Sequence, residues 1–383
     1  MKLVKGITAL AFATVAGLTT QSAQSADTIK IGEVGSMTGS EATFGISTHQ
    51  GIILAIEEAN AKGGVKGKQL EVISLDDQGK PEEAATAVTK LITQNKVTAI
   101  LGEVASSRSM AMAPIAQKNK IPMITPSSTN PKVTELGTYV FRVCFIDPFQ
   151  GTVMATFAAE TLKVKKVAVL RDVKNDYSIG LADFFTEVFK KKGGTIVLDT
   201  SYSAGDMDFK SQLTAIKGKN PEAIFVPGYY TEVGLIARQA RELGIKAPLM
   251  GGDGWDSPKL TEIGGKAIEG AFFSNHYSSE DKSPVVQDFI SRFKKKYNVV
   301  PDGLAAMGYD AALVMIDGMN RAKTLGGNDI RAALADTKKF QGVTGKITID
   351  EKRNAVKSAV VLEVAKKEPG KEDFRYKTTI NPL

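Results

Sequence analysis

The chain runs through one pattern of strands and helices twice, and nothing else in its 383 residues restricts its fold as strongly. The segment KKKGGTIVLDTSY echoes AKGGVKGKQLEV, so that Gly193 and Gly194 stand 130 residues after Gly63 and Gly64. AIFVPGYY follows AILGEVAS by 124 residues, and APLMGGDG follows IPMITPSS at about the same spacing. A supersecondary pattern repeated at that distance points to one α/β lobe used twice. Short connections between strand and helix make each lobe a doubly wound parallel sheet covered by helices. Two such lobes facing each other enclose a cleft, with the strand ends of both along its walls.

The elements of the first half illustrate the rhythm. IKIGEV (29–34) reads as a strand, and a helix is predicted from about Thr48 to Ala61 with Ile52, Ile53, Ile56 and Ala59 on one face. Gly63 and Gly64 end it. KQLEVISLDD returns as strand, PEEAATAVTKLITQNK as a helix with proline at its start and acids in its first turn, and VTAILGEV as strand. In the second half KKVAVLRDV (165–173) is a strand, and Leu181, Phe184, Phe185, Val188 and Phe189 give the next helix one apolar face.

Hydroxyls gather where these strands end. The run APIAQKNKIPMITPSSTNP (113–131) carries a short interior strand, Ile121 to Ile124, that opens into Ser127, Ser128 and Thr129. AILGEVASS ends the same way at Ser106 and Ser107. Small hydroxyls and free backbone N–H groups at a sheet's carboxyl edge suit a compact anion such as a carboxylate, above all where a helix N-terminus follows. Ordinary helix capping by serine and threonine is the competing reading. From the second lobe, Tyr229, Tyr230 and the loop GGDGWDS around Asp253 reach the same cleft.

The amino terminus reads as a cleavable secretory leader. Lys2 and Lys5 precede the apolar run ITALAFATVAGL and the small-residue sequence SAQSA, with cleavage expected after Ser25 or Ala26. The apolar core is too short for a membrane span, and no later stretch reaches the roughly 18 apolar residues of one. The mature chain is therefore expected in the periplasm. The single cysteine, Cys144, leaves no internal disulfide and no lipid attachment near the cleavage site. A formal charge of +7 falls to +5 without Lys2 and Lys5, and the lysines are scattered through helix ends. They read as solvated surface, not as a nucleic-acid face.

Catalytic and metal chemistry find little support. GxSxG, GxGxxG and HExxH are absent, and GVTGK lacks the glycine a phosphate loop needs. His49 and His276 are the only histidines, isolated from each other, and read as structural. Asp76 and Asp77, adjacent at a strand end, point to opposite sides and read as polar caps. Trp255 reads either as a cleft wall or as packing within its own lobe, and Asp253 beside Gly254 can also serve as a turn residue.

The order IGEVGSMTGSEATFG, IEEANAKGGVKGKQLEV, DDQGKPEEA, APIAQKNKIPMITPSS, RQARELG and YDAALV resembles the periplasmic leucine/isoleucine/valine-type binding proteins of ABC transporters, from about residue 29 to 365. The resemblance implies the type I periplasmic binding fold, in which the chain crosses three times between lobes, here near Ile146, His276 and Asp350. Residues 27–146 and 277–350 would form lobe 1, and 147–276 with 351–383 lobe 2.

The resemblance also implies a site. Ser106 matches the serine whose hydroxyl and backbone N–H hold the ligand carboxylate. Ser127 and Thr129 match positions where a carbonyl and a threonine hydroxyl meet the ammonium. Asp253 matches an acidic position that pairs with the ammonium from the second lobe, where family members can carry the longer glutamate. Phe44, Tyr177 and Tyr229 match aromatic walls, Phe44 standing where the family has a tyrosine, and Leu304 matches a side-chain pocket position. The function so implied is capture of a neutral, aliphatic amino acid by cleft closure and its delivery to an inner-membrane ABC permease and its ATPases, by a monomer without cofactor or metal. The alternatives are a ligand sensor of the same fold, or a binder of another solute such as an amide or an aromatic acid.

Overall fold

The computed structural model describes residues 28–366 and 373–382; the leader expected over residues 1–26 lies outside them. Strands β1 (Ile29–Gly35), β2 (Leu70–Asp76), β3 (Ala99–Leu101), β4 (Met123–Thr125) and β5 (Val140–Arg142) form a sheet ordered β2-β1-β3-β4-β5, parallel throughout. Strands β6 (Lys166–Asp172), β7 (Thr195–Tyr202), β8 (Ala223–Phe225), β9 (Leu249–Gly251) and β10 (Phe272–Asn275) repeat that arrangement as β7-β6-β8-β9-β10. Each lobe thus reverses its strand order once, between β1 and β3 and between β6 and β8, and a crevice opens there at the carboxyl edge. Strands β3, β4, β5, β8 and β9 are buried at every residue, as strands covered by helices on both faces must be.

The helix expected from Thr48 begins earlier and spans Ala42–Ala61. Gly45 masked its first turn, because glycine disfavours helix. Packing explains Gly51: a Cβ there would strike the Ala305 carbonyl oxygen, and one at Gly308 would strike that of Thr48. The helix Gly303–Arg321 therefore lies in backbone contact with Ala42–Ala61, and Phe44 is fixed in the latter's first turn at the cleft. In the second lobe, Leu181, Phe185 and Phe189 are fully buried on the inner face of the helix Asp176–Lys191.

Toward the carboxyl end, β11 (Phe340–Gly342), β12 (Gly345–Ile349) and β13 (Ala355–Val356) make a small antiparallel sheet whose apolar residues join the first lobe's core. Then β14 (Ala359–Val364) and β15 (Phe374–Ile380) extend the second sheet, β14 antiparallel to β10. The last passage between lobes consequently falls between Val356 and Ala359, later than Asp350. Pairing of β13 with β12 holds the intervening turn on the first lobe, and Arg142 N donates to Arg353 O at 3.1 Å.

The first lobe packs an apolar layer on each face of its sheet. Phe44, Val104, Ala105 and Leu304 of that lobe are instead continuous with the core of the second, so the lobes are closed on each other. No helix among the described residues is long and apolar enough to cross a membrane.

Candidate functional site

Ser106 opens the helix Ser106–Asn119, the next element after β3. The residue in the capping position is Ala105, whose methyl group makes no hydrogen bond, so capping is not the role of Ser106. Its Oγ accepts from Asn130 N at 3.2 Å, and it stands among the first-turn N–H groups that a helix leaves without internal partners. Behind it, Glu103 accepts from Ala105 N at 2.5 Å and from Arg108 Nε at 2.9 Å, while Arg108 Nη1 meets Glu41 Oε2 at 2.7 Å. This buried charge network fixes the turn that presents Ser106. Ser107 faces the other lobe: its hydroxyl donates to Asp176 Oδ2 at 2.9 Å and accepts from Asp176 N at 3.1 Å.

The loop after β4 is held from beneath. The Ser128 hydroxyl meets the carbonyl oxygens of Glu103 and Val104 at 3.0 and 2.9 Å, tying the loop to β3. Arg142, wholly buried, donates to the carbonyl oxygens of Ser128 and Asn130. Ser128 is thus structural, and Ser127 is left to face the cleft. Thr129 is fully buried one step deeper; its carbonyl accepts from Asp147 N at 2.9 Å, and its hydroxyl stands beside the Asp147 carboxyl. Burial pushes Asp147 up to about 8.

Asp253 begins the short helical turn after β9 and is buried. Its Oδ2 accepts from Ser127 Oγ at 3.1 Å across the cleft and lies 3.0 Å from His276 Nε2. Its Oδ1 accepts from Gln150 Nε2 at 2.7 Å. Asp253 thus has three polar partners on a buried carboxylate.

Aromatic rings make the walls. Tyr177 and Tyr229 stack with centroids 5.5 Å apart and planes 14° from parallel, and Phe44 meets Tyr229 edge-on at 5.2 Å from the opposite lobe. Burial holds both phenols well above their usual pKa, so they stay neutral. Phe44, Ser106, Ser127, Tyr177, Tyr229, Asp253 and Leu304, with Val104 and Gly254, surround one small cavity of about 10 Å³ between the lobes. Of the eight residues expected at the site, only Thr129 stands outside this lining. The most exposed of the eight, Tyr229, is 8% accessible, so a ligand reaches them only when the lobes part.

Residues 28–369 match the family model described as "Periplasmic binding protein". The chain belongs to that family. The leucine binding protein LivK of Thermotoga maritima superposes with a TM-score of 0.88 at 44% identity, over 92% of this chain and 99% of that one. LivJ of Streptococcus pneumoniae, a branched-chain amino acid transporter substrate-binding protein solved in complex with isoleucine, gives 0.85 at 36% identity, over 91% and 100%. A Leu/Ile/Val-binding protein homolog 3 of Brucella melitensis is 33% identical over 353 residues, 91% of this chain and 93% of the relative. The fold is the type I periplasmic binding fold.

This periplasmic binding protein departs from the sequence reading at His276. Read there as an isolated structural residue, it is a direct partner of Asp253. Gln150 escaped notice altogether, although its helix starts at the first crossing, at Asp147. The remaining alternatives resolve toward structure. Trp255 packs within its own lobe, Nε1 donating to Val226 O at 3.0 Å. Asp76 accepts from Met37 N and Gln78 N, Asp77 from Ser36 Oγ and Gly79 N, and no metal-ligand group of three occurs among the described residues. His49 pairs with Glu33 at 2.7 Å, away from the cleft.

Proposed function

We propose that this protein captures a neutral aliphatic amino acid of the branched-chain class between its lobes and delivers it to an inner-membrane ABC permease and its ATPases. The carrying observation is the meeting of Ser127 and Asp253 across the cavity that Ser106 also lines, at a helix N-terminus. A zwitterion needs donors for its carboxylate and an acceptor for its ammonium a few ångströms apart, since a desolvated charge without a partner is costly. Ser106 with the first-turn N–H groups, and the Thr129 segment beside them, supply the donors. Asp253 supplies the acceptor.

The carboxylate donors belong to one lobe and the acid to the other, so the ligand bridges both only in the closed arrangement and binding selects that state. Residues 28–146 with 277–356 act as one rigid body and 147–276 with 357–366 and 373–382 as the other, rotating about the three crossings. The walls of Phe44, Tyr177, Tyr229 and Leu304 suit an aliphatic side chain, in keeping with the ligands named for the relatives. The protein works as a monomer in the periplasm after removal of its leader, without cofactor or metal. Binding without catalysis suits the chemistry: burial pushes the Cys144 thiol up to about 12, leaving no thiolate nucleophile.

Trp255, the only tryptophan, sits two residues past Asp253 and gives the test. Its fluorescence should change saturably as L-leucine, isoleucine or valine is added to ligand-stripped protein. An unchanged spectrum with all three, in protein that is folded by circular dichroism, would count against the assignment.

A further inference from the structure

His276 follows β10 at the second crossing between the lobes, and its Nε2 lies 3.0 Å from Asp253 Oδ2 and 3.5 Å from Ser127 Oγ. The ring is buried and stacks on Phe145, centroids 3.7 Å apart and planes 28° from parallel. Its Nδ1 is buried and finds no hydrogen-bond partner among the described residues. A carboxylate offers about four lone-pair positions. Gln150, Ser127 and His276 occupy three of those of Asp253, which leaves one position directed by the other three.

We propose that His276 is a positioning residue: its neutral imidazole holds Asp253 for the ligand's ammonium, and its protonation turns it into a competitor for the same carboxylate. The inference rests on the amino-acid reading of the site. With Asp253 as acceptor, the proton of the neutral ring sits on Nε2 and Nδ1 is bare. That form gives Asp253 one hydrogen bond and leaves its charge for the ammonium. An imidazolium would neutralise the acid and place an Nδ1–H in buried space without an acceptor.

The charged groups acting on the ring are Asp253, which favours the cation, and Lys357, which opposes it; burial, with Lys357, outweighs Asp253 and holds His276 below its usual value, neutral at neutral pH. A bound ammonium pushes it lower still, so ligand and proton exclude each other. Affinity is then level where the ring of the free protein is neutral, and falls by up to about tenfold per pH unit below that. Asp147, pushed up to about 8 by burial, stays protonated between pH 7 and pH 5 and does not contribute a slope there.

The test is calorimetric titration of L-leucine into the refolded protein at pH 7.5, 6.5, 5.5 and 5.0, for the wild type, His276→Gln and His49→Gln. Glutamine keeps an N–H donor near the Nε2 position but does not titrate, and His49 is the only other histidine. The wild type and His49→Gln should lose affinity on acidification, while His276→Gln holds its neutral-pH affinity down to pH 5. An equal slope in His276→Gln, or a flat wild-type profile, overturns the inference and leaves the proposed function standing. A wild type that binds no aliphatic amino acid at pH 7.5 overturns both. Should His276→Gln fail to fold, carbon-13 NMR of His276 in the wild type decides: leucine must lower its pKa, and an unchanged value overturns the role.

Discussion

Ser127 Oγ on the first lobe donates to Asp253 Oδ2 on the second at 3.1 Å, joining residues 126 positions apart across the cleft. A ligand ammonium placed at this junction is held by both bodies at once. Removing the acid should therefore cost both ligand contact and the drive to close. Asp253→Ala is expected to weaken leucine binding by about 2 to 5 kcal/mol, the cost of leaving the partner charge buried and unpaired. Calorimetry of the variant checks it. A loss below about tenfold, roughly 1.4 kcal/mol, would return Asp253 to a turn role.

Ser106 and Ser107 are adjacent but face different tasks. If the proposed amino-acid site is correct, Ser106→Ala removes a donor to the ligand carboxylate and should cost about 1.5 to 3 kcal/mol of binding. Ser107→Ala removes a contact with Asp176 between the lobes and should cost about 1 kcal/mol, felt in closure. Comparing the two variants by titration with leucine and with leucinamide separates these roles: only Ser106→Ala should narrow the preference for the acid over the amide.

Most of the fold was legible because its determinants are local and repeated. Buried strands such as β3, β4 and β8 declare themselves as apolar runs between helices, and the repeat of the glycine pairs declares the second lobe. What escaped was set by contacts between distant segments. The early start of the helix Ala42–Ala61 sets Gly45 against the Ser36 backbone, and the late third crossing depends on β13 pairing with β12. At the site, the hydroxyl clusters after β3 and β4 and Tyr229 after β8 sit at strand ends, where α/β topology makes them readable, whereas Phe44, Tyr177 and Leu304 came only from the resemblance. Gln150 and His276 reach Asp253 because two crossing segments converge beside it, a relation that no spacing in the chain encodes.

Gly254 leaves room between the two stacked tyrosines. A Cβ there would come within 2.8 Å of Tyr229 Cδ1, 2.9 Å of Gly228 O and 3.1 Å of Tyr177 Cε1. Gly254→Ala should force the walls apart and weaken binding by about 1 to 3 kcal/mol. Titration with leucine and circular dichroism on the same sample check that affinity falls while the fold is kept.

Asp147 makes stability depend on pH. Burial raises it to about 8, against the opposing influence of the Thr129 hydroxyl and Arg142. The folded protein therefore keeps a proton that the unfolded chain releases above about 3.8, and this group's contribution to stability falls as pH rises from about 4 to about 8. Asp147→Asn cannot ionise. Its stability relative to the wild type should rise across that window, by at most about 1.4 kcal/mol per pH unit, as read from denaturant unfolding at several pH values. A difference that stays constant with pH would show that Asp147 does not hold the proton.

Capture of a zwitterion between two closing lobes is tested most directly by calorimetric titration of the mature protein, unfolded and refolded to strip carried-over ligand. The panel is leucine, isoleucine, valine, alanine, phenylalanine, glutamate and the α-keto acid matching leucine. Micromolar or tighter binding of the aliphatic amino acids, with the keto acid rejected, is the expected result. Silence from every amino acid together with binding of the keto acid would contradict it, because Asp253 would then have no ammonium to hold.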